Sequence, residues 1–323
     1  MTLRIGLYLP TWPPKGAAVP RWAEIRSLAR RAESAGIDTL WVADEPGFWE
    51  LWTVLTAAAE ATDRIQIGPL VACTRYRNPA LVATMVRALD EVSGGRLVVA
   101  IGAGAGPTDP RLAAFGFDTG QEHVGRFAEA AEILVRLLRE GSITFEGRFH
   151  RVVEPDIGPA GPRPAGPPIW IAAGRPRTME IAARWSDAVN GADGLTDAAS
   201  VGALRAQVSR ACEAIGRDPG TLALTGWARL AISTDGRRDA DRTDTISGTP
   251  DRVADQLAQL ADAGVEHLTC FIGDETDDHL FPALTGSSLD RFLPVFERVR
   301  ENATAQPGAA LGTAAEAKAA IDG

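Results

Sequence analysis

Residues 64–106 read RIQIGPLVACTRYRNPALVATMVRALDEVSGGRLVVAIGAGAG, and this stretch decides the fold. Ile65, Ile67, Leu70 and Val71 make a strand, and Cys73–Arg77 leave it as a polar, basic loop. Asn78 caps a helix that begins at Pro79, whose fixed φ suits a first helical position. Leu81, Val82, Met85, Val86, Leu89 and Val92 recur at helical spacing, so one stripe faces a core. Ser93-Gly94-Gly95 stops that helix, because glycine takes the left-handed conformation past the last turn. Leu97–Ile101 is an unbroken apolar run, the pattern of a strand covered on both faces in a parallel sheet. It ends in Gly102-Ala103-Gly104-Ala105-Gly106, where backbone can approach a ligand closely.

The same rhythm continues outward from this unit. Leu3–Leu9 is a strand, and Thr11–Pro20 a proline-rich loop with Trp12. Arg21–Ser34 is a helix, Ile37–Ala43 the second strand, Asp44–Trp49 its exit loop, and Leu51–Ala61 the next helix. After Gly106, Gln121–Glu140 is a long amphipathic helix. Ile143–Val152 reads as a hairpin turning at Glu146-Gly147. Glu154–Pro168 is dense in Pro and Gly and reads as a surface loop inside one domain, because strand and helix resume directly after it. Ile169–Ala173, Asp187–Asn190, Leu222–Ile232 and Val265–Ile272 are further strands. Helices run from after Gly174-Arg175-Pro176-Arg177-Thr178 through Trp185, over Ala198–Ile215, from Thr249-Pro250 to Ala263, and over Leu289–Arg300. Ser233–Ser247 is a polar, charged connection. Ala35-Gly36-Ile37 and Ala263-Gly264-Val265 repeat one helix-to-strand joint near opposite ends of the chain. About eight parallel-type strands at this length predict an α/β (β/α)8 TIM barrel, with insertions after strand 4 and around strand 7. A doubly wound open sheet is the competing arrangement. Residues 1–303 are read as a single domain, and 304–323 as an Ala-rich, frayed or disordered tail.

Composition narrows the function classes. The chain has 323 residues, 45% hydrophobic and 23% charged, as in ordinary globular proteins. A formal net charge of −9 argues against nucleic acid or an anionic membrane as the main partner. Three cysteines without a Cys-x-x-Cys suit a reducing cytoplasm. No apolar run is long enough to span a bilayer, and Leu3–Leu9 is too short for a signal peptide. The four histidines have no metal-ligand spacing to another His or Cys, and no P-loop or Gly-x-Ser-x-Gly occurs.

Several motifs, taken together and in order, resemble the bacterial luciferase-like superfamily of flavin and deazaflavin oxidoreductases. They are Ile67-Gly68, Arg77-Asn78-Pro79-Ala80, Leu89-Asp90, Ser93-Gly94-Gly95-Arg96 and Gly102–Gly106. Leu40–Asp44, Phe145-Glu146-Gly147, Pro167–Gly174, Ala182–Ala188 and Gly248-Thr249-Pro250 extend the match over roughly Arg4–Arg300. The resemblance implies a (β/α)8 barrel with the flavin at the C-terminal ends of the strands, and lids in the two insertions. It places the cofactor phosphate at Gly174-Arg175-Pro176-Arg177-Thr178, where helix amides, the dipole and guanidinium groups make an anion site. Without a ligand these are two solvated arginines on a loop. The resemblance sets Gly104 and Gly106 against the isoalloxazine edge and Cys73 beside the ring. The pattern is not a dinucleotide fingerprint, since Pro107 stands where a phosphate-cradling helix should begin.

Asp44, Glu45 and Trp49 are the catalytic candidates. Adjacent carboxylates at a strand's C-terminal end can bind the flavin's polar edge or move protons, or simply cap a turn. Trp12, Trp49 and Trp52 are candidates to wall an apolar pocket, or to pack in the core or a lid. Cys73, Thr74, Arg75, Gly104, Gly106, Ala173, Gly174, Arg175 and Arg177 are the cofactor-binding candidates, with Arg77 as a further cation or a local partner. His123 starts a helix facing the barrel mouth. In the superfamily's deazaflavin dehydrogenases a histidine follows the aspartate and a glutamate occupies the position of Ala105. Glu45 and Ala105 therefore count against sugar-phosphate or alcohol dehydrogenase chemistry of that kind.

The expected protein is a cytoplasmic oxidoreductase transferring a hydride to or from a small organic substrate. The deazaflavin coenzyme F-420 (F420) is the expected cofactor, because its acidic tail suits the arginines. FMN is the alternative, with monooxygenation fed by a partner flavin reductase. Other classes are a flavin-binding protein without turnover and an unrelated doubly wound NAD enzyme. A homodimer is common in the superfamily and is carried as an expectation.

Overall fold

The computed structural model describes residues 2–13, 18–104, 110–117, 122–163, 165–233, 244–272 and 281–305. In chain order the elements are β1 (Arg4–Tyr8), α1 (Trp22–Ser34), β2 (Thr39–Val42), α2 (Leu51–Ala61), β3 (Gln66–Pro69), β4 (Ala72–Cys73), α3 (Pro79–Val92), β5 (Val99–Gly102), α4 (Pro110–Ala114) and α5 (His123–Glu140). Then follow the β6–β7 hairpin (Thr144–Glu146, Arg151–Val153), β8 (Ile169–Ala173), α6 (Pro176–Trp185), β9 (Ala188–Gly191), α7 (Ala198–Glu213), β10 (Ala223–Ile232), β11 (Thr245–Gly248), α8 (Pro250–Asp262), β12 (His267–Ile272) and α9 (Gly286–Ala305).

The main sheet runs β3-β2-β1-β12-β10-β9-β8-β5-β4, all parallel. Its ends meet. Ile67 and Leu97 form a parallel bridge, with Val98 N–H on the Ile67 carbonyl at 2.9 Å and Ile67 N–H on the Arg96 carbonyl at 3.1 Å. The sheet therefore closes on itself into the expected (β/α)8 barrel, and the open doubly wound arrangement is excluded.

Each strand alternates between two environments, as a pleated strand must. Outward positions such as Ile5, Leu7, Leu40, Ile67, Val99, Ile101, Ile169 and Ile171 join the large core under the helices. Inward positions fill the barrel: Trp41, Leu70, Val98, Ala100, Trp170 and Ala188 pack as one cluster. Trp41 and Trp170 meet at 5.1 Å between ring centroids. This bulk explains Gly68, where a Cβ would lie 2.0 Å from the Val98 carbonyl oxygen and 2.8 Å from the Trp41 ring.

The repeated joint holds in detail. Gly36 and Gly264 adopt φ of +84° and +96°. Ile37 and Val265 donate back to Ala32 and Leu260, at 3.0 and 3.1 Å. Four readings need correction. The third barrel strand is two short strands, β3 and β4, divided at Leu70-Val71. The end of the polar connection, Thr245–Gly248, is a strand paired with β10. The hairpin turns over residues 147–150, with Gly147 N–H on the His150 carbonyl at 2.9 Å. Helix α9 runs to Ala305, past the expected start of the tail. The rest of that tail lies outside the described residues, as do Gly106, Ala105 and His279.

Candidate active site

A cleft of about 1040 Å³ opens at the C-terminal ends of the strands. Its two sides have opposite character. The arc formed by β4, β5 and β8 presents small residues: Cys73, Gly102, Ala103, Gly104, Ala172 and Gly174. Gly104 has φ of +79°, and a Cβ there would lie 2.4 Å from Cys73 Sγ, so only glycine keeps this wall flat. A Cβ on Gly174 would meet that of Ala192 at 2.6 Å.

Beyond Gly174 the chain turns into α6. Thr178 Oγ1 accepts the Gly174 and Arg175 N–H groups at 3.4 and 3.2 Å and donates to the Arg175 carbonyl at 2.9 Å. Pro176 stands at the first helical position. Arg175 and Arg177, both exposed, line the cleft beside this helix start. Two guanidinium groups, first-turn amides and the positive end of the dipole converge there, which is the chemistry of an anion site.

The opposite arc, from β10 through β12 and β1 to β2, is aromatic. Tyr8 stacks on Phe271 with centroids 4.8 Å apart and 21° between planes. Trp12 stacks on Phe48 at 5.6 Å. Phe281 packs against both Trp227 and Phe271, at 5.1 and 4.8 Å. Tyr8 donates its hydroxyl to the Leu70 carbonyl. Burial, with Glu45 adding to it, pushes the phenol far above its ordinary pKa and keeps it neutral.

Asp44 and Glu45 occupy the mouth between β2 and β4. Asp44 is buried, accepting the Cys73 N–H at 3.0 Å and Arg77 Nη1 at 2.7 Å. Burial raises its pKa against the opposing pull of Arg77. Asp44 thus ties the end of β2 to the loop after β4 rather than projecting a free carboxylate. Arg77 is engaged by Asp44 at 2.7 Å and by Glu50 at 2.8 Å, which makes it the local partner of its two readings rather than a cation for the cofactor tail. Glu45 pairs with Arg111 of α4 at 3.1 Å, and the same guanidinium lies over the Phe48 ring at 5.9 Å, so β2's exit loop meets the insertion after the fourth barrel strand. Burial pushes the Cys73 thiol up to about 11, so it stays protonated near neutrality and is a filler rather than a nucleophile.

The cleft gathers Asp44, Glu45, Cys73, Gly104, Gly174, Arg175 and Arg177 from the candidates. Five candidates do not line it. Trp49 is 45% exposed and turned away, its N–H on the Thr11 carbonyl at 3.2 Å, while its neighbour Phe48 takes the wall position. Trp52 is buried on the core face of α2. Ala173 points outward into the helix layer, and Ala172 faces the cleft. Thr74 turns its hydroxyl and N–H to the Gly102 carbonyl, at 3.3 and 3.2 Å. Arg75 lies alongside Gly104 without lining the cleft. His123 does line it, half-buried, and its Nδ1 is enclosed without a hydrogen-bond partner. Tyr8, Phe48, Ala172, Trp227, Phe271 and Phe281 were missed. For Tyr8, Trp227 and Phe271 the signal was available, since strand parity places them inward above Gly6, Thr225 and Thr269.

Among the described residues no group of His, Cys, Asp and Glu has metal-ligand geometry, and no helix is long and apolar enough to cross a membrane. A model of the family described as luciferase-like monooxygenase matches residues 3–243. The 5,10-methylenetetrahydromethanopterin reductase of Archaeoglobus fulgidus is 30% identical over 52% of this chain and 49% of its own, about half its length. An F420-dependent glucose-6-phosphate dehydrogenase of Intrasporangium calvum is 28% identical over 74% of this chain and 85% of its own. Among solved structures, a monooxygenase from Streptomyces bottropensis superposes with a TM-score of 0.76 at 22% identity, covering 93% of this chain and all of that one. An F420-dependent secondary alcohol dehydrogenase gives 0.73 at 17% identity, also covering 93% of this chain and all of that one. At these identities the structural likeness speaks for the fold.

Proposed function

The chain belongs to the luciferase-like monooxygenase family, and on that premise we propose that it is an oxidoreductase using the deazaflavin coenzyme F420 to pass a hydride to or from a small organic substrate. The observation that carries this is the two-sided mouth. A flat wall of small residues ends in a cationic helix N-terminus, facing an apolar aromatic wall. When bound, the deazaflavin supplies a two-electron hydride carrier; the protein supplies position and exclusion of water. Arg175, Arg177 and the first turn of α6 hold the phosphate. Gly104, Cys73 and Ala172 let the ring system lie close to backbone. Asp44, fixed by Arg77, holds the Cys73 loop in place behind it. The Glu45–Arg111 pair joins the exit loop of β2 to α4 across the mouth.

FMN is the second reading, and the same anion site favours it, because one phosphate is all that this helix start needs to bind. In that case the reaction is monooxygenation, with a separate flavin reductase as partner. Buried, unpaired Cys73, Cys212 and Cys270 are in keeping with a cytoplasmic location. Exposed Leu81 and Val92 on α3 are in keeping with a homodimer.

Titration of the purified protein with F420 and with FMN, read by fluorescence, tests the proposal. Binding of F420 tighter than about millimolar, roughly −4 kcal/mol, is expected. Arg177→Ala is expected to weaken it by about tenfold, the scale of one charge-assisted hydrogen bond. Failure of both cofactors to bind removes the assignment, and unchanged affinity in the variant removes Arg177 from the phosphate site.

A further inference from the structure

The two arcs of the mouth also constrain what reacts there. We infer that the substrate is an uncharged, planar ring compound stacked against the aromatic arc, a conclusion that rests on the cofactor reading above. The barrel order places β10, β12, β1 and β2 consecutively, so Trp227, Phe271, Phe281, Tyr8, Trp12 and Phe48 form one continuous surface. Rings already stack or meet edge-on throughout it, and Phe281 stays 44% exposed at its rim. An exposed phenyl face in an apolar cleft is stacking surface for a flat, apolar ligand.

Charge completes the selection. On this arc the carboxylates among the described residues are Asp44, held by Arg77, and Glu45, held by Arg111, whose guanidinium also lies over the Phe48 ring; Asp193 lines the cleft next to Trp227. The cations Arg175 and Arg177 belong to the opposite side of the barrel, at α6, where the cofactor phosphate engages them. A phosphate or carboxylate on the substrate would have to displace Glu45 from Arg111 or lie desolvated against aromatic rings, whereas an uncharged ring exchanges water for stacking. The Tyr8 hydroxyl, donated to Leu70, offers no positive seat either.

The F420-loaded protein is titrated calorimetrically with menadione, a planar uncharged quinone, and with glucose 6-phosphate. Menadione is expected to bind at least about tenfold tighter than the sugar phosphate, and Phe281→Ala to weaken menadione about tenfold while F420 affinity is kept. Phe281 lies at the rim and is half-exposed, so its loss leaves the barrel core intact. Equal or tighter binding of glucose 6-phosphate overturns the inference, as does menadione affinity unchanged in Phe281→Ala. Failure of F420 itself to bind overturns the cofactor reading and this inference together. F420 binding with no menadione binding removes the substrate class alone.

Discussion

At the scale of single residues, the most consequential buried group is His267. It stands inside the barrel with Nε2 3.0 Å from Thr39 Oγ1, edge-on to Trp41 and Trp170. Burial, with Arg4 adding to it, pushes its pKa from 6.5 down to about 3. The folded chain therefore keeps it neutral while the unfolded chain protonates first on acidification. The stabilisation is complete above pH 6.5 and is lost as pH falls towards 3, by about 2 kcal/mol between pH 6.5 and pH 5. Urea unfolding of the wild type and of His267→Gln at those two pH values checks this. The difference between the two proteins should shrink or reverse at pH 5, and a pH-independent difference would sink the argument. The same inward position explains what residue reading missed. Ala173 and Ala172 are equivalent in composition, and only the parity counted from Trp170 separates the one facing the helices from the one facing the cleft. Trp49 and Phe48 differ in the same way, by a loop conformation no periodicity encodes.

At the scale of elements, the motif Ser93-Gly94-Gly95-Arg96 turns out to be a joint at the N-terminal end of the barrel, away from the mouth. Arg96 donates to the carbonyls of Ser93, Ala59 and Ile65, at 2.7, 2.7 and 3.1 Å, and to Thr62 Oγ1 at 3.0 Å. It thereby clasps α2, β3 and α3 where the sheet closes between Ile67 and Leu97. Nearby, buried Asp90 binds the Arg163 guanidinium, which also reaches the Leu97 carbonyl at 2.6 Å. That contact anchors the Pro- and Gly-rich connection to the barrel. Arg96→Ala is expected to cost about 2 kcal/mol by leaving several carbonyls without donors, seen as a lower denaturant midpoint at constant slope. F420 affinity should be kept; a parallel loss of cofactor binding would contradict a purely structural role. Elements governed by local chemistry were legible in the sequence. Asn78 caps α3 by accepting the Ala80 N–H at 2.9 Å, and the glycine joints close as read. The division of the third strand and the pairing of β11 with β10 were not legible, because each depends on a partner distant in the chain.

At the scale of the whole molecule, the closed barrel followed from the count and character of strands, while the character of the mouth did not. Its two arcs are assembled from residues between Tyr8 and Phe281, and no window of sequence shows them as opposite walls. The arginines at the start of α6 acquire a further meaning against the net charge of −9. An acidic body turns anions away over most of its surface, while a local cationic entrance draws them in, so the field sorts approach routes before any contact forms. Arrival of an anionic cofactor is then a steered encounter. Stopped-flow mixing should show the association rate falling by about tenfold from low salt to ~0.5 M, as screening shortens the reach of the entrance to a few ångströms. Departure, governed by contacts already made, should change far less, so salt would slow loading while leaving the lifetime of the loaded protein nearly as it was.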